Sequence, residues 1–452
     1  LMVMPIAAVN TSAFDAGSIS GNGWKLEGVK FVVVGFNQKK PQVKFTAKKL
    51  SLPKPFNDLS VADIQCHDFT WNQDEVNCNQ GKASVQSAYW QSPSTQFSFR
   101  LTNKNSIIRL QDARLMGSRL TLEAEADAEN WRCKFWAKQV SDALINKLLA
   151  LKPPSAKQKP TQKGLINLQG TLSGQLNTIN QFNVTTDISG LTDQTQEGTV
   201  ASENLNVRVQ LEGKKTVGNQ WLWRSQSQIT GGALYVDPVY LESGPQPITL
   251  DAQGLWNTKT QQADIQDFTY QHPGAGALSG NATGYYRNGF HFEKANVILQ
   301  SSTLQQLATV YASPFFTESP INGMTLSGNV QGKISFDKQL LTDAAVQFSK
   351  LNIKDSVGRL AINDGTGTIN WSADPLQTKT STLSWQLLAI KGFPIKTASL
   401  KLASNGNQFR LTEKVMLPFL SGMISVDKFT WQHHKNEEPD IAFAGSISNL
   451  NL

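Results

Sequence analysis

The 452-residue chain is poor in charge, in cysteine and in long apolar runs. No stretch approaches the roughly 18 uninterrupted apolar residues that a bilayer-spanning helix needs. Charged residues are only 17% of the chain, and the Ala, Leu, Glu and Lys weight of a helical bundle or coiled coil is missing. The net charge is +7, yet Lys and Arg are scattered. The one dense basic stretch, 152–163, holds three prolines and reads as a linker. No nucleic-acid partner is expected. Three cysteines, Cys66, Cys78 and Cys133, form no CxxC or Cys/His cluster, so neither a metal site nor a cofactor is expected. The five histidines stand apart except for His433 and His434, which share a polar turn.

Catalytic signatures are missing too. Gly274, Gly276, Gly280 and Gly284 do not spell a dinucleotide or Walker loop, and no helix pattern follows them. Four Leu-Ser-Gly segments, ending at Gly174, Gly280, Gly328 and Gly422, are not nucleophile elbows. Carboxylates are sparse, and no close pair stands beside aromatic sugar platforms. The chain is expected not to be an enzyme, with no catalytic residues.

What is abundant is Ser, Thr, Asn, Gln and Gly, a composition suited to long β structure. Alternation with period two runs through most of the chain. Leu205, Val207, Val209 and Leu211 point one way from their strand; Phe290 and Phe292 repeat the pattern, as do Leu326, Val330, Ile334 and Phe336. These ten residues are the candidate lining of an apolar groove, the alternative for such side chains being plain core. The recurrent strand glycines suggest strong curvature.

An aliphatic residue followed by Phe-Thr-aromatic occurs three times: Ile64 with Phe69-Thr70-Trp71, Ile265 with Phe268-Thr269-Tyr270, and Val426 with Phe429-Thr430-Trp431. Aliphatic and aromatic fall on opposite parity each time. Either a bulge intervenes or the sheet is apolar on both faces.

Two helices are expected. One runs over about 130–151, where Cys133, Ala137, Val140, Leu144, Leu148 and Leu151 recur at three- and four-residue steps before Pro153. The other is short, near 304–312. Organisation follows: 1–151 as a β segment ending in the helix, 152–163 as linker, and 164–452 as a second β segment. Both ends read as cut from a longer protein. Cys66 and Cys78 flank a turn-like stretch and either form a disulfide, implying an oxidising compartment, or remain buried thiols.

Several of these features together resemble the AsmA-like proteins of the Gram-negative envelope, the YdbH type with its TamB and YhdP relatives. The residues that carry the likeness are the expected helix after a Trp-Arg-Cys, Trp131 to Leu151, the pair Cys66 and Cys78, the strand start from Met416 to Val426, and the close from Ile447 to Leu452. The resemblance implies a mostly β fold, an elongated, curved, taco-shaped antiparallel β-groove with one or two short helices. It implies phospholipid transfer across the periplasm between inner and outer membranes, an N-terminal inner-membrane anchor outside this segment, and an outer-membrane or other envelope protein as partner. Two other readings stand beside it: a non-catalytic periplasmic scaffold for envelope assembly and a polysaccharide-binding β-solenoid.

Overall fold

The computed structural model describes residues 10–21, 24–35, 38–51, 61–86, 94–141, 144, 163–176, 178–195, 197–286, 290–312, 323–433 and 439–449. They are mostly β: 29 strands in a large antiparallel sheet. Neighbours in the sheet are close in sequence, as in the hairpins of Met324–Asp337 with Leu340–Asp355 and of Lys379–Ile390 with Phe393–Asn405. Antiparallel ladders differ from the parallel coils of a β-helix solenoid.

The chain divides into two units, Leu1–Leu191 with Arg208–Lys215, and Thr192–Val207 with Thr216–Leu452. Residues 152–162, expected as linker, lie outside the described residues, and the strand Lys163–Gln175 begins at the linker's last position.

In the first unit two clusters hold buried side chains. Val33, Val43, Cys66, Phe69 and Cys78 pack with Phe31, Val76, Phe97 and Phe99. Ala137, Val140, Leu144 and Ile166 pack with Leu115, Leu120 and Leu168. Cys66 and Cys78 are joined as a disulfide, with Cα atoms 5.9 Å apart.

The helix expected over 130–151 is corrected in its first half. Asn130–Lys138 is a strand, paired on one side with Ser118–Ala126 and on the other with Lys163–Gln175. The physical reason is a competing period. Trp131, Cys133, Phe135 and Ala137 alternate, and they meet Ala126, Ala124, Leu122 and Leu120 across the ladder. Leu144 is helical; 142–143 and 145–151 lie outside the described residues. The short helix is present as Leu304–Leu307, continued by a π-helical turn over Ala308–Ala312.

The parity conflict in the Phe-Thr-aromatic repeats resolves as bulges. Ile265 and Phe268 face Ala282 and Gly280, so that four residues of one strand span three of the other. Val426 and Phe429 face Gly445 and Phe443 across a register shift beside Asp427. In the remaining copy the strand breaks at 67–68 while its neighbour bulges between Cys78 and Gly81. Each irregularity returns the aromatic side chain to the aliphatic residue's face. Glycine fits these points because the strands approach closely: a Cβ on Gly280 would run into the Asn296 carbonyl, and one on Gly445 into that of Ser425.

Candidate functional site

Residues directly opposite in an antiparallel pair share a face, so register traces each side of the second unit's sheet. One side is apolar from strand to strand. Leu250, Ala252 and Gly254 meet Tyr270, Phe268 and Ile265. Ala282 and Gly280 meet Ala295 and Val297, which meet Phe336 and Ile334. Ile334, Gly332 and Val330 meet Ala344, Val346 and Phe348, and the last three meet Trp371, Ile369 and Gly367. The opposite side carries polar ladders: Asn296 donates to Asn281 at 3.0 Å, Ser335 to Asn296 at 2.8 Å and Gln331 to Gln347 at 2.8 Å.

The ten candidate lining residues divide on burial. Phe292 is 45% exposed and Leu211 38%, while Leu205 and Val330 are buried. Val207, Val209, Leu326, Ile334 and Phe336 are half-buried. Phe290 begins a strand opposite Tyr286, and its side chain lies outside the described residues. Register places Phe292, Leu326, Val330, Ile334 and Phe336 on one face, a bulge beside Glu293 carrying Phe292 across. The four residues 205–211 alternate along one strand, Val200–Lys215, that the two units share.

Val330 is buried for a local reason. It pairs with Ser302 at the approach to the helix Leu304–Leu307, which packs on its strand. From that edge the π-helical turn brings Tyr311 onto the apolar side. The Tyr270 and Tyr311 hydroxyls are 2.7 Å apart, and Tyr311 is 2.7 Å from His272 Nδ1. Burial pushes both tyrosine hydroxyls above their ordinary range and His272 below its own, against a backbone hydrogen bond to Glu242 that favours the charged ring. The helix therefore covers part of the apolar side.

The other edge, where turns such as 337–340, 372–379 and 405–408 lie, carries rings. Trp256, Phe336, Trp371 and Trp431 each occupy the penultimate position of a strand, and Trp221 and Phe409 the second. Trp221 pairs with Trp256 and Phe409 with Trp431. All are half-buried. Trp371 donates its indole N–H to the Gly406 carbonyl at 2.7 Å. Between Trp371, Phe409, Trp431, His433 and Pro375 lies a cavity of about 490 Å³. These rings escape a reading of composition, in which tryptophan looks scattered; their common signal is a place beside a polar turn, as in Trp371-Ser-Ala-Asp-Pro and Trp431-Gln-His-His.

Among the described residues no group of three or more His, Cys, Asp or Glu could hold a metal ion, and no helix is long and apolar enough to cross a membrane. Burial raises the Cys133 thiol above its ordinary range, away from the reactive thiolate. No protein-family model, curated protein or solved structure matches the chain.

Proposed function

We propose that the chain is a non-catalytic groove segment of a bridge-like lipid-transfer protein, carrying phospholipid acyl chains along its apolar sheet face. The observation that carries this reading is the continuity of that face across successive strands while its larger side chains, Val330 excepted, stay partly exposed. Such a face shelters acyl chains at about 0.8 kcal/mol per CH₂ removed from water. Apolar walls offer no directional partners, so a chain can slide along them. The polar ladders on the opposite face suit water.

The Cys66–Cys78 bridge supports an oxidising compartment. With the AsmA-like resemblance, this favours the periplasm of a Gram-negative envelope, an inner-membrane anchor in the full protein, and transfer between inner and outer membranes with an envelope protein as partner. A second reading, a lipid-free scaffold, is favoured by the strand Asp440–Ser448, where Ile441, Phe443 and Ile447 are 60–65% exposed and suit a protein contact.

Native mass spectrometry and lipid extraction on periplasmically expressed protein separate the two. Co-purified phospholipid, reduced in Phe292→Asp and Ile334→Asp with circular dichroism unchanged, is the expected result. A folded, lipid-free wild type refutes the groove and leaves the scaffold.

A further inference from the structure

We infer that the cavity between Trp371, Phe409, Trp431 and His433 is a seat for the ester end of a phospholipid, so that headgroups leave the apolar face over the tryptophan-bearing edge. The inference rests on the groove reading and adds an orientation to it. Three observations carry it. The first is position: the strand containing Trp371 ends at Ser372, the one containing Trp431 ends at Gln432, and Phe409 stands one residue inside the turn 405–408, so the rings mark the border between apolar strand and polar turn.

The second is orientation. Trp371 spends its N–H on the Gly406 carbonyl of that turn, which places the indole's polar side at the edge. The first unit repeats the device independently: Trp131, second in its strand, donates to the Leu176 carbonyl at 3.0 Å. The third is shape. Trp431 and His433 lie nearly parallel, 13° apart with centroids at 6.0 Å, and Phe409 leans on Trp431 at 5.7 Å. Trp431 and His433 form a flat wall, Phe409 is tilted 57° against it, and together with Trp371 and Pro375 they line the cavity of about 490 Å³.

An acyl chain alone needs no amphipathic wall, and a soluble polar ligand would call for more converging donors and acceptors than this cavity offers. A molecule that is apolar below and polar above fits both halves. The other edge is differently built, since the helix Leu304–Leu307 and the Tyr270–Tyr311–His272 contact cover the apolar side there.

The test reads tryptophan emission from protein loaded with phospholipid brominated either near the ester or near the methyl end of one acyl chain, with bound lipid counted by native mass spectrometry. Ester-end bromines should quench more strongly, and that excess should disappear in the Trp371→Phe/Trp431→Phe variant. Trp385, mid-strand and buried, is the internal contrast. His433→Ala removes the ring stacked on Trp431 but leaves Trp371 and its bond to the Gly406 carbonyl, and should weaken the ester-end excess. Equal quenching or a methyl-end excess, with lipid bound, overturns the seat and leaves the groove standing. Failure of every lipid to bind overturns the groove reading first. A shift in emission with a soluble disaccharide and no lipid overturns the seat in favour of a sugar platform.

Discussion

Reducing the Cys66–Cys78 bridge should loosen one part of the first unit by a calculable amount. The cysteines are 12 residues apart in sequence, so closing that loop removes chain entropy worth about 3 kcal/mol at 25 °C. Cys66 ends a strand and Cys78 lies in its neighbour, on either side of the break at 67–68. Among the described residues two backbone bonds span that break, from His67 N–H to the Gln80 carbonyl and from Asn79 N–H to that of Asp68. Without the bridge, the local opening free energy should fall by nearly the whole entropic amount. At 1.36 kcal/mol per decade, exchange of these amides should accelerate about 150-fold. Hydrogen exchange with mass spectrometry, with and without reductant, reads this directly. Peptides from Met324–Asp337 and Leu340–Asp355, which contain no cysteine, should not change. Acceleration under about tenfold at 61–86, or equal acceleration in the control peptides, would refute the reasoning, because the entropic contribution would then be absent or the effect not local.

Two further outcomes concern protonation. Asp355 accepts from the Arg359 backbone N–H, Nε and an Nη, which holds its carboxyl at about 2. Since the unfolded carboxyl titrates near 3.9, the contribution is complete above that pH and declines as pH falls toward about 2. Asp355→Asn should flatten acid-induced loss of thermal stability in that window, and an unchanged profile contradicts the assignment. His272 sits below its ordinary range through burial, so its neutral form stabilises the helix contact. That contribution is full above about 6.5 and weakens as the ring protonates below it. Tyr311→Phe removes both hydroxyl contacts and should cost about 1–3 kcal/mol, read as faster exchange of the helix amides; exchange unchanged by acid or by the variant refutes the contact's role.

The β class and much of the apolar face were legible, because period-two alternation survives in strands such as Met324–Asp337, whose Leu326, Val330, Ile334 and Phe336 do share a face. Bulges were legible only as a conflict of parity, since a single sequence does not say which strand holds the extra residue. The stretch 130–138 misled because its apolar residues satisfy both periods, and pairing to two neighbouring strands decided between them. Burial was not legible: Val330 and Ile334 look equivalent in sequence, yet only Val330 is buried at the approach to the helix. The ringed edge stayed hidden because its members are distant in sequence and meet only through register.

The penultimate placement of the rings sets a rule for how such a chain can be lengthened or shortened. Antiparallel strands reverse direction at each turn, so Trp256, Phe336, Trp371 and Trp431 reach one edge because whole hairpins separate them. Gain or loss of one hairpin adds or removes about 10 Å of sheet, two strands at about 4.8 Å each, and leaves every later ring where it was. Gain or loss of a single strand would send all later rings to the opposite edge. Heritable change in length is thereby restricted to even steps, which makes the hairpin, and not the strand, the unit in which this sheet can evolve.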